Sequence, residues 1–241
     1  MNTYNLAMKN SSPIIVALDF PSEAATMQLV EQLDPSLCRL KVGKELFTRC
    51  GPALVKRLVD KNFDVFLDLK YHDIPNTTAQ ACLAAAELGV WMLNVHALGG
   101  EKMMLAAKQV LADNFSDNES PLLIAVTWLT SSGQAELDAL GIAATPQQMV
   151  SRLAAMSRNS GLDGVVCSAQ EAAVLRQDMG EGFILVTPGI RLAGSQQDDQ
   201  CRVVTPEKAI KDGASYLVIG RPITQATDPC KVLRTIISDI G

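Results

Sequence analysis

DVFLDLKYHDIPNTTAQACLAAAELGVWMLNVHA (64–97) holds two short apolar runs separated by an alanine-rich amphipathic stretch. The runs DVFLDL (64–69) and MLNVHA (92–97) read as strands, and TTAQACLAAAELG (77–89) reads as a helix. Strands buried on both faces are apolar throughout rather than alternating, which is how parallel sheets look in sequence. The same alternation extends outward. IIVAL (14–18) and CRLKV (38–42) precede this unit; LLIAVT (122–127), GVVCS (164–168), ILVTP (184–188) and YLVIG (216–220) follow it. Amphipathic segments such as SEAATMQLVEQL (22–33) and EKMMLAAKQVLADN (101–114) lie between the runs.

Eight such units in 241 residues leave about 30 residues per unit, the size expected of a (β/α)8 barrel. The expected fold class is therefore α/β, a single (β/α)8 TIM barrel over 1–241, with 1–12 as a loosely ordered N-terminal segment. A doubly wound open sheet is the alternative on pattern alone. Two stretches interrupt the rhythm. TPQQMVSRLAAMSRNSG (145–161) reads as an extra helical segment before strand 6, and LAGSQQDDQCR (192–202) as a polar loop and mobile active-site lid after strand 7.

Composition narrows the function. A balance of 21 Lys+Arg against 26 Asp+Glu gives −5, and without a basic cluster this argues against a general nucleic-acid binder. Small anions stay possible, since a few local cations focus a field that net charge hides. No apolar stretch is long enough to span a bilayer, and MNTYNLAMKNSS (1–12) lacks the apolar core of a secretory signal. The six cysteines are scattered without a C-x-x-C pair, so they read as reduced thiols in a cytoplasmic protein. Two histidines leave little material for a Cys/His metal site. There is no Walker loop, no G-x-G-x-x-G after a strand and no nucleophile elbow.

In such barrels the chemistry sits where strands end. Asp19 follows strand 1, Lys41 lies near the end of strand 2, Asp68 and Lys70 end strand 3, and Asp73 comes three residues later. Residues two apart on a strand share a face, so Asp68 and Lys70 are expected to reach one site. The bland reading is a salt-bridge network closing the barrel mouth. Buried ion pairs stabilise weakly because desolvation offsets the Coulomb gain, which favours a functional reading. Opposite this cluster, VTPGIR (186–191) and IGRPIT (219–224) end strands 7 and 8, the loops that often hold phosphate. Gly189 and Gly220 would let backbone N–H groups approach a phosphate, and Arg191 or Arg221 would supply charge. His96 could line the site; His72 is expected to face away from Lys70 and Asp73. Met103 and Met104 read as core packing.

These residues carry a resemblance. DLKYHDIPNTT (68–78) resembles the signature of the orotidine 5′-phosphate decarboxylases, and ALDFPS (17–22), LKVGKELF (40–47), LTS (129–131), TPGIR (187–191), DDQCRVVTP (198–206) and VIGRPIT (218–224) match in order. Tyr71, Trp128 and Cys201 are departures, and none removes an expected functional group. The resemblance implies conversion of orotidine 5′-phosphate to uridine 5′-phosphate, the last step of pyrimidine synthesis, with no metal or cofactor. It implies that Lys70 is the proton donor, that Asp68 lies beside the substrate carboxylate, and that Asp19 and Lys41 hold ribose hydroxyls and complete the charge array. Asp73 and Thr77 are expected to enter the partner's site in a homodimer. Thr130 and Ser131 would contact the pyrimidine or its neighbouring loop. Gln200, Gly220 and Arg221 would grip the phosphate, with Pro188 and Arg191 nearby. The alternatives are a Mg²⁺-dependent phosphosugar decarboxylase or synthase of similar architecture, and a non-catalytic uridine-nucleotide sensor. No nucleic-acid or membrane partner is expected.

Overall fold

The computed structural model describes residues 10–191 and 204–241. Eight parallel strands pair in sequence order: β1 (Ile14–Ala17), β2 (Arg39–Gly43), β3 (Val65–Tyr71), β4 (Met92–His96), β5 (Leu122–Val126), β6 (Gly164–Val166), β7 (Ile184–Thr187) and β8 (Tyr216–Ile219). Strand β8 returns to β1, with Ile14 opposite Leu217 and Val16 opposite Ile219, so the sheet closes into a barrel. Closure abolishes the edges that an open doubly wound sheet would retain. The helices are α1 (Glu23–Val30), α2 (Lys44–Asp60), α3 (Pro75–Ala86), α4 (Glu101–Asn114), α5 (Gln134–Ala139), α6 (Pro146–Asn159), α7 (Ala172–Met179), α8 (Pro206–Lys211), α9 (Arg221–Thr224) and α10 (Pro229–Ile240). Among the described residues no helix is long and apolar enough to cross a membrane.

Local chemistry sets several helix starts. The Ser22 hydroxyl accepts from the Ala25 N–H at the start of α1, and Asp228 accepts from Lys231 N–H ahead of Pro229 in α10. Thr145 and Gln148 cap each other's backbone at the start of α6, with Pro146 in the first turn. Segment 145–161 is therefore not an insertion: α6 is the regular barrel helix between β5 and β6, and the added element is the short α5. Helix α2 bends at Gly51 (φ 68), where Pro52 has no N–H to continue the ladder.

Side-chain parity divides the core in two. Outward residues such as Val16, Leu40, Leu67 and Leu93 pack under the helices, while Ile15, Phe66, Met92, Ile124, Val186 and Val218 fill the barrel interior. The inward stripe changes character along the barrel axis. At its base, buried Arg39 pairs with Asp64 at 3.2 Å and lies 4.5 Å from the Trp91 ring and 5.0 Å from the Tyr216 ring. Its guanidinium also donates to the carbonyls of Asn10 and Ser12, while Asn10 donates to Pro35 and Cys38. Residues 10–12 of the supposedly loose N-terminal segment are thus tied across the barrel base. At the opposite end the stripe continues as Asp19, Lys41 and Asp68.

Candidate active site

Strand β3 runs two residues further than its apolar pattern suggests, because its end is held by polar contacts rather than by burial. Its pairing with β4 shifts between Leu67 and Tyr71, and Lys70 adopts φ 52, a left-handed conformation rare for a residue with a β-carbon. Asn94, inward on β4 and wholly buried, stabilises that irregularity. Its side-chain oxygen accepts the Lys70 N–H at 2.7 Å, and its amide donates to Asp68 Oδ1 at 2.7 Å. Asp68 and Lys70 do meet, as alternation predicts, but the Asn94 bridge across a bulge is part of the reason.

The charges form a chain. Lys70 Nζ donates to Asp68 Oδ1 at 2.5 Å, Lys41 Nζ stands 3.8 Å from Asp68 Oδ2, and Lys41 also donates to Asp19 Oδ1 at 3.1 Å. The Asp68 and Lys41 side chains are only 13% and 11% exposed, so their interaction is weakly screened, whereas Asp19 at 69% opens to solvent. Burial alone would raise the Asp68 pKa. The Lys41 and Lys70 charges, with hydrogen bonds from Lys70 and Asn94, outweigh it and hold the carboxyl below its usual range. Gly43 has a spatial role here: a β-carbon would stand 3.1 Å from Lys41 Nζ and 3.6 Å from Asp19 Oδ1, crowding that pair.

A cavity of about 320 Å³ opens over this array. Asp19, Lys41, Asp68 and Lys70 line one side; Val126, Trp128, Val166 and Val218 give an apolar wall. Thr130, Pro188, Gly189, Arg191, Gly220 and Arg221 complete the rim. Gly189 is left-handed (φ 82), a conformation that suits glycine. The cavity thus joins a cation aimed into a partly apolar pocket to two arginines at the ends of β7 and β8, a shape suited to a flat anionic molecule with a separate acidic group.

Not every expected residue faces this cavity. Ser131 is exposed and absent from its lining, unlike neighbouring Thr130. Asp73 and Thr77 are exposed outside it. The Asp73 carboxylate accepts the Ile74 N–H at 2.6 Å, and Thr78 Oγ1 accepts the Asp73 N–H at 3.1 Å. Gln200, Cys201 and the expected lid 192–202 lie outside the described residues. Of the other departures from the family pattern, Trp128 lines the cavity while Tyr71 packs into the helix-side core. His72 faces His96: their rings stack at 5.5 Å between centroids and 25° between planes. Burial, then the charges of His72, Lys44 and Lys70, lower the His96 pKa to about 4, so this ring is neutral near pH 7.

Asn94 and Gly43 are the two contributors that motif reading missed. Asn94 had a signal, a polar residue at an inward position of an apolar strand. Gly43 had only its place beside Lys41 in KVGK.

A family model for orotidine 5′-phosphate decarboxylase / HUMPS matches residues 12–236. An orotidine 5′-phosphate decarboxylase of Nitrosococcus oceani is 60% identical over 230 residues, covering 95% of this chain and 98% of the relative. One from Nitrosomonas europaea is 58% identical over 232 residues, covering 96% and 98%. The crystal structure of orotidine 5′-phosphate decarboxylase from Lactobacillus acidophilus superposes with a TM-score of 0.85 at 38% identity, covering 95% of this chain and 99% of that one. Barrel, charge chain and near-complete alignment converge: the chain belongs to the orotidine 5′-phosphate decarboxylase / HUMPS family.

Proposed function

We propose that this chain is an orotidine 5′-phosphate decarboxylase, a carboxy-lyase of pyrimidine biosynthesis, with Lys70 as its acid. The observation that carries the reading is the Lys70 ammonium, held 2.5 Å from half-buried Asp68 at the floor of the cavity. Arg191 and Arg221 take the phosphate, aided by the backbone at Gly189 and Gly220, and this distant anchor sets the ring over the floor. The substrate carboxylate lies towards Asp68. When the carbon–carbon bond breaks, carbon dioxide leaves and the electron pair stays on the ring carbon. Lys70 donates its proton to that carbon, giving uridine 5′-phosphate and a neutral amine that solvent reprotonates. A cation aimed where negative charge develops stabilises the transition state more than the ground state. The apolar wall restricts water around the same centre.

Ground-state repulsion has a bounded role. Two carboxylates 4 Å apart at an effective dielectric of 20 repel by about 4 kcal/mol. Releasing all of it gives about three decades in rate, short of the ~8–23 kcal/mol that enzymes commonly supply. Binding energy from the remote phosphate, spent on orienting the ring, is the natural further source.

The magnesium-dependent alternative fits the floor less well. Asp68 already accepts from Lys70 and Asn94 and lies beside Lys41, so a divalent cation there would face two ammonium charges. We read the active form as a homodimer in which Asp73 and Thr77 enter the neighbouring site. Both are exposed beside Ile74, itself 67% exposed, an apolar residue suited to an interface. The scattered thiols support a cytoplasmic location.

The deciding experiment follows orotidylate absorbance with purified protein in EDTA, beside Lys70→Ala. Turnover that survives chelation and vanishes in the folded variant is expected. A wild type that stays inactive until Mg²⁺ is added would move the phosphosugar reading ahead.

A further inference from the structure

We propose that His72 and His96 are positioning residues: their stacked rings seat the loop that carries Asp73, and so set where Asp73 enters the neighbouring subunit's site. This rests on the dimer reading above.

The chain passes left-handed Lys70, leaves β3 at Tyr71 and reaches Asp73 two residues later. The two ends of this connection are held separately. Lys70 is tied through its N–H to Asn94 and through Nζ to Asp68. At the far end, Asp73 is tied to the first turns of α3 through Ile74 N–H and Thr78 Oγ1. Between them His72 lays its ring over His96, the last residue of β4. The centroid separation of 5.5 Å lies within the range of offset aromatic stacking.

The seat is built from two sides. His96 Nδ1 accepts the Leu98 N–H at 3.4 Å, which orients its ring and places the neutral imidazole's proton on Nε2. Gly99 closes the short turn after β4. A β-carbon there would come 3.2 Å from His72 Cδ2 and 2.1 Å from Met103 Sδ, so a side chain at 99 would displace the packing on which His72 rests. His72 is thereby held between the end of β4 and the turn that begins α4. Burial, then the charges of His72, Lys44 and Lys70, disfavour a positive charge on His96 and keep one ring of the stack neutral.

This geometry separates two functions of one short loop. Lys70 serves its own site and is held on the β3 side by Asn94 and Asp68, whereas Asp73 serves the partner's site, and its contacts with Ile74 and Thr78 fix it to the start of α3 while the stack sets how that start sits against β4. His72→Ala is therefore expected to lower kcat by about tenfold to a hundredfold, the scale of an ångström-level misplacement. KM should change by less than about twofold, because the phosphate anchor is remote. His72→Phe, which keeps a flat ring, is expected to restore most of the loss.

The test combines these variants with subunit mixing. His72→Ala is co-expressed with Lys70→Ala under separate tags, and the mixed dimer is isolated. One of its sites then has intact Lys70 from the first chain and a well-seated Asp73 from the second. The mixed dimer should exceed both parent homodimers in kcat. Wild-type kcat in His72→Ala, no recovery in His72→Phe, or no complementation in an isolated mixed dimer would each overturn the proposal while leaving the dimer reading intact. A wild type that sediments as a monomer at assay concentration would instead overturn the dimer reading on which it rests.

Discussion

Replacing Asn94 by alanine removes two hydrogen bonds made by a wholly buried side chain. The Asn94 amide donates to the charged Asp68 carboxylate at 2.7 Å, a class of bond that contributes about 1.5–3 kcal/mol. Its oxygen accepts the Lys70 N–H, also at 2.7 Å, and a buried donor left unpaired costs about 1–3 kcal/mol. A water entering the vacated space would recover part of this, so a net destabilisation of about 3 kcal/mol is expected. The catalytic effect should be of similar size. Lys70 holds φ 52 against its intrinsic preference, and without the Asn94 acceptor its backbone is free to relax and carry the ammonium away. A kcat loss of about a hundredfold follows, with KM little changed. Asn94→Asp probes the same contact with opposite electrostatics: a second carboxylate 2.7 Å from Asp68 would repel it by about 6 kcal/mol at an effective dielectric of 20. Its activity should fall below that of the alanine variant at alkaline pH. Urea denaturation with a check on the m-value gives the stability change, and orotidylate absorbance gives kcat and KM. If Asn94→Ala unfolds within about 0.5 kcal/mol of wild type and keeps its kcat, Asn94 does not hold the Lys70 conformation.

Arg221→Ala should lower kcat as well as raise KM, because binding energy at the phosphate is used to orient the ring; a rise in KM alone refutes this. Arg39→Leu should destabilise the barrel by about 2–3 kcal/mol, since it strands Asp64 and empties the space against Trp91 and Tyr216. Its kcat per folded molecule should be unchanged, and a stability equal to wild type by denaturation would count against the base clamp. The His96 pKa, lowered from 6.5 to about 4, means that the unfolded chain takes up a proton more readily than the folded one between those values. Stability from this residue is present above pH 6.5 and is lost as pH falls towards 4. His96→Asn should flatten that part of a Tm–pH curve; an unchanged slope refutes the assignment. The lowered Asp68 pKa acts below the usual aspartate value of 3.8, in a separate and more acid window.

Much of this was legible because parity and periodicity are properties of the chain. Eight apolar runs spaced by amphipathic segments imply a barrel, and the strand-end positions of Lys41, Asp68 and Lys70 imply a shared mouth. What escaped depended on contacts between distant segments. Nothing local to DLKYHD reveals a left-handed lysine, because the Asn94 acceptor that stabilises it comes from the next strand. The fate of His72 was hidden for the same reason: its partner is a histidine 24 residues on, and its second wall is a glycine defined by what it lacks. The sequence places the extra helix at 145–161 because α6, with its capping box and proline start, carries stronger helix signals than the true insertion α5.

One register governs both ends of the barrel. On β2 the inward residues are Arg39, Lys41 and Gly43, while Leu40 and Val42 face the helices. Arg39 locks the base against Trp91, Tyr216 and Asp64, and two residues later Lys41 supplies the cation between Asp19 and Asp68. A slip of one residue would bury neither charge beside its partner and would turn two leucine-class side chains into the cavity. The base clamp therefore does more than add stability: it selects the register in which Lys41 reaches the floor and Gly43 leaves room for it. Because both groups sit on one short, fully paired strand, weakening the clamp raises the unfolded population without creating a slipped, folded state. That is why Arg39→Leu is expected to reduce the amount of active enzyme while leaving the turnover of each folded molecule intact.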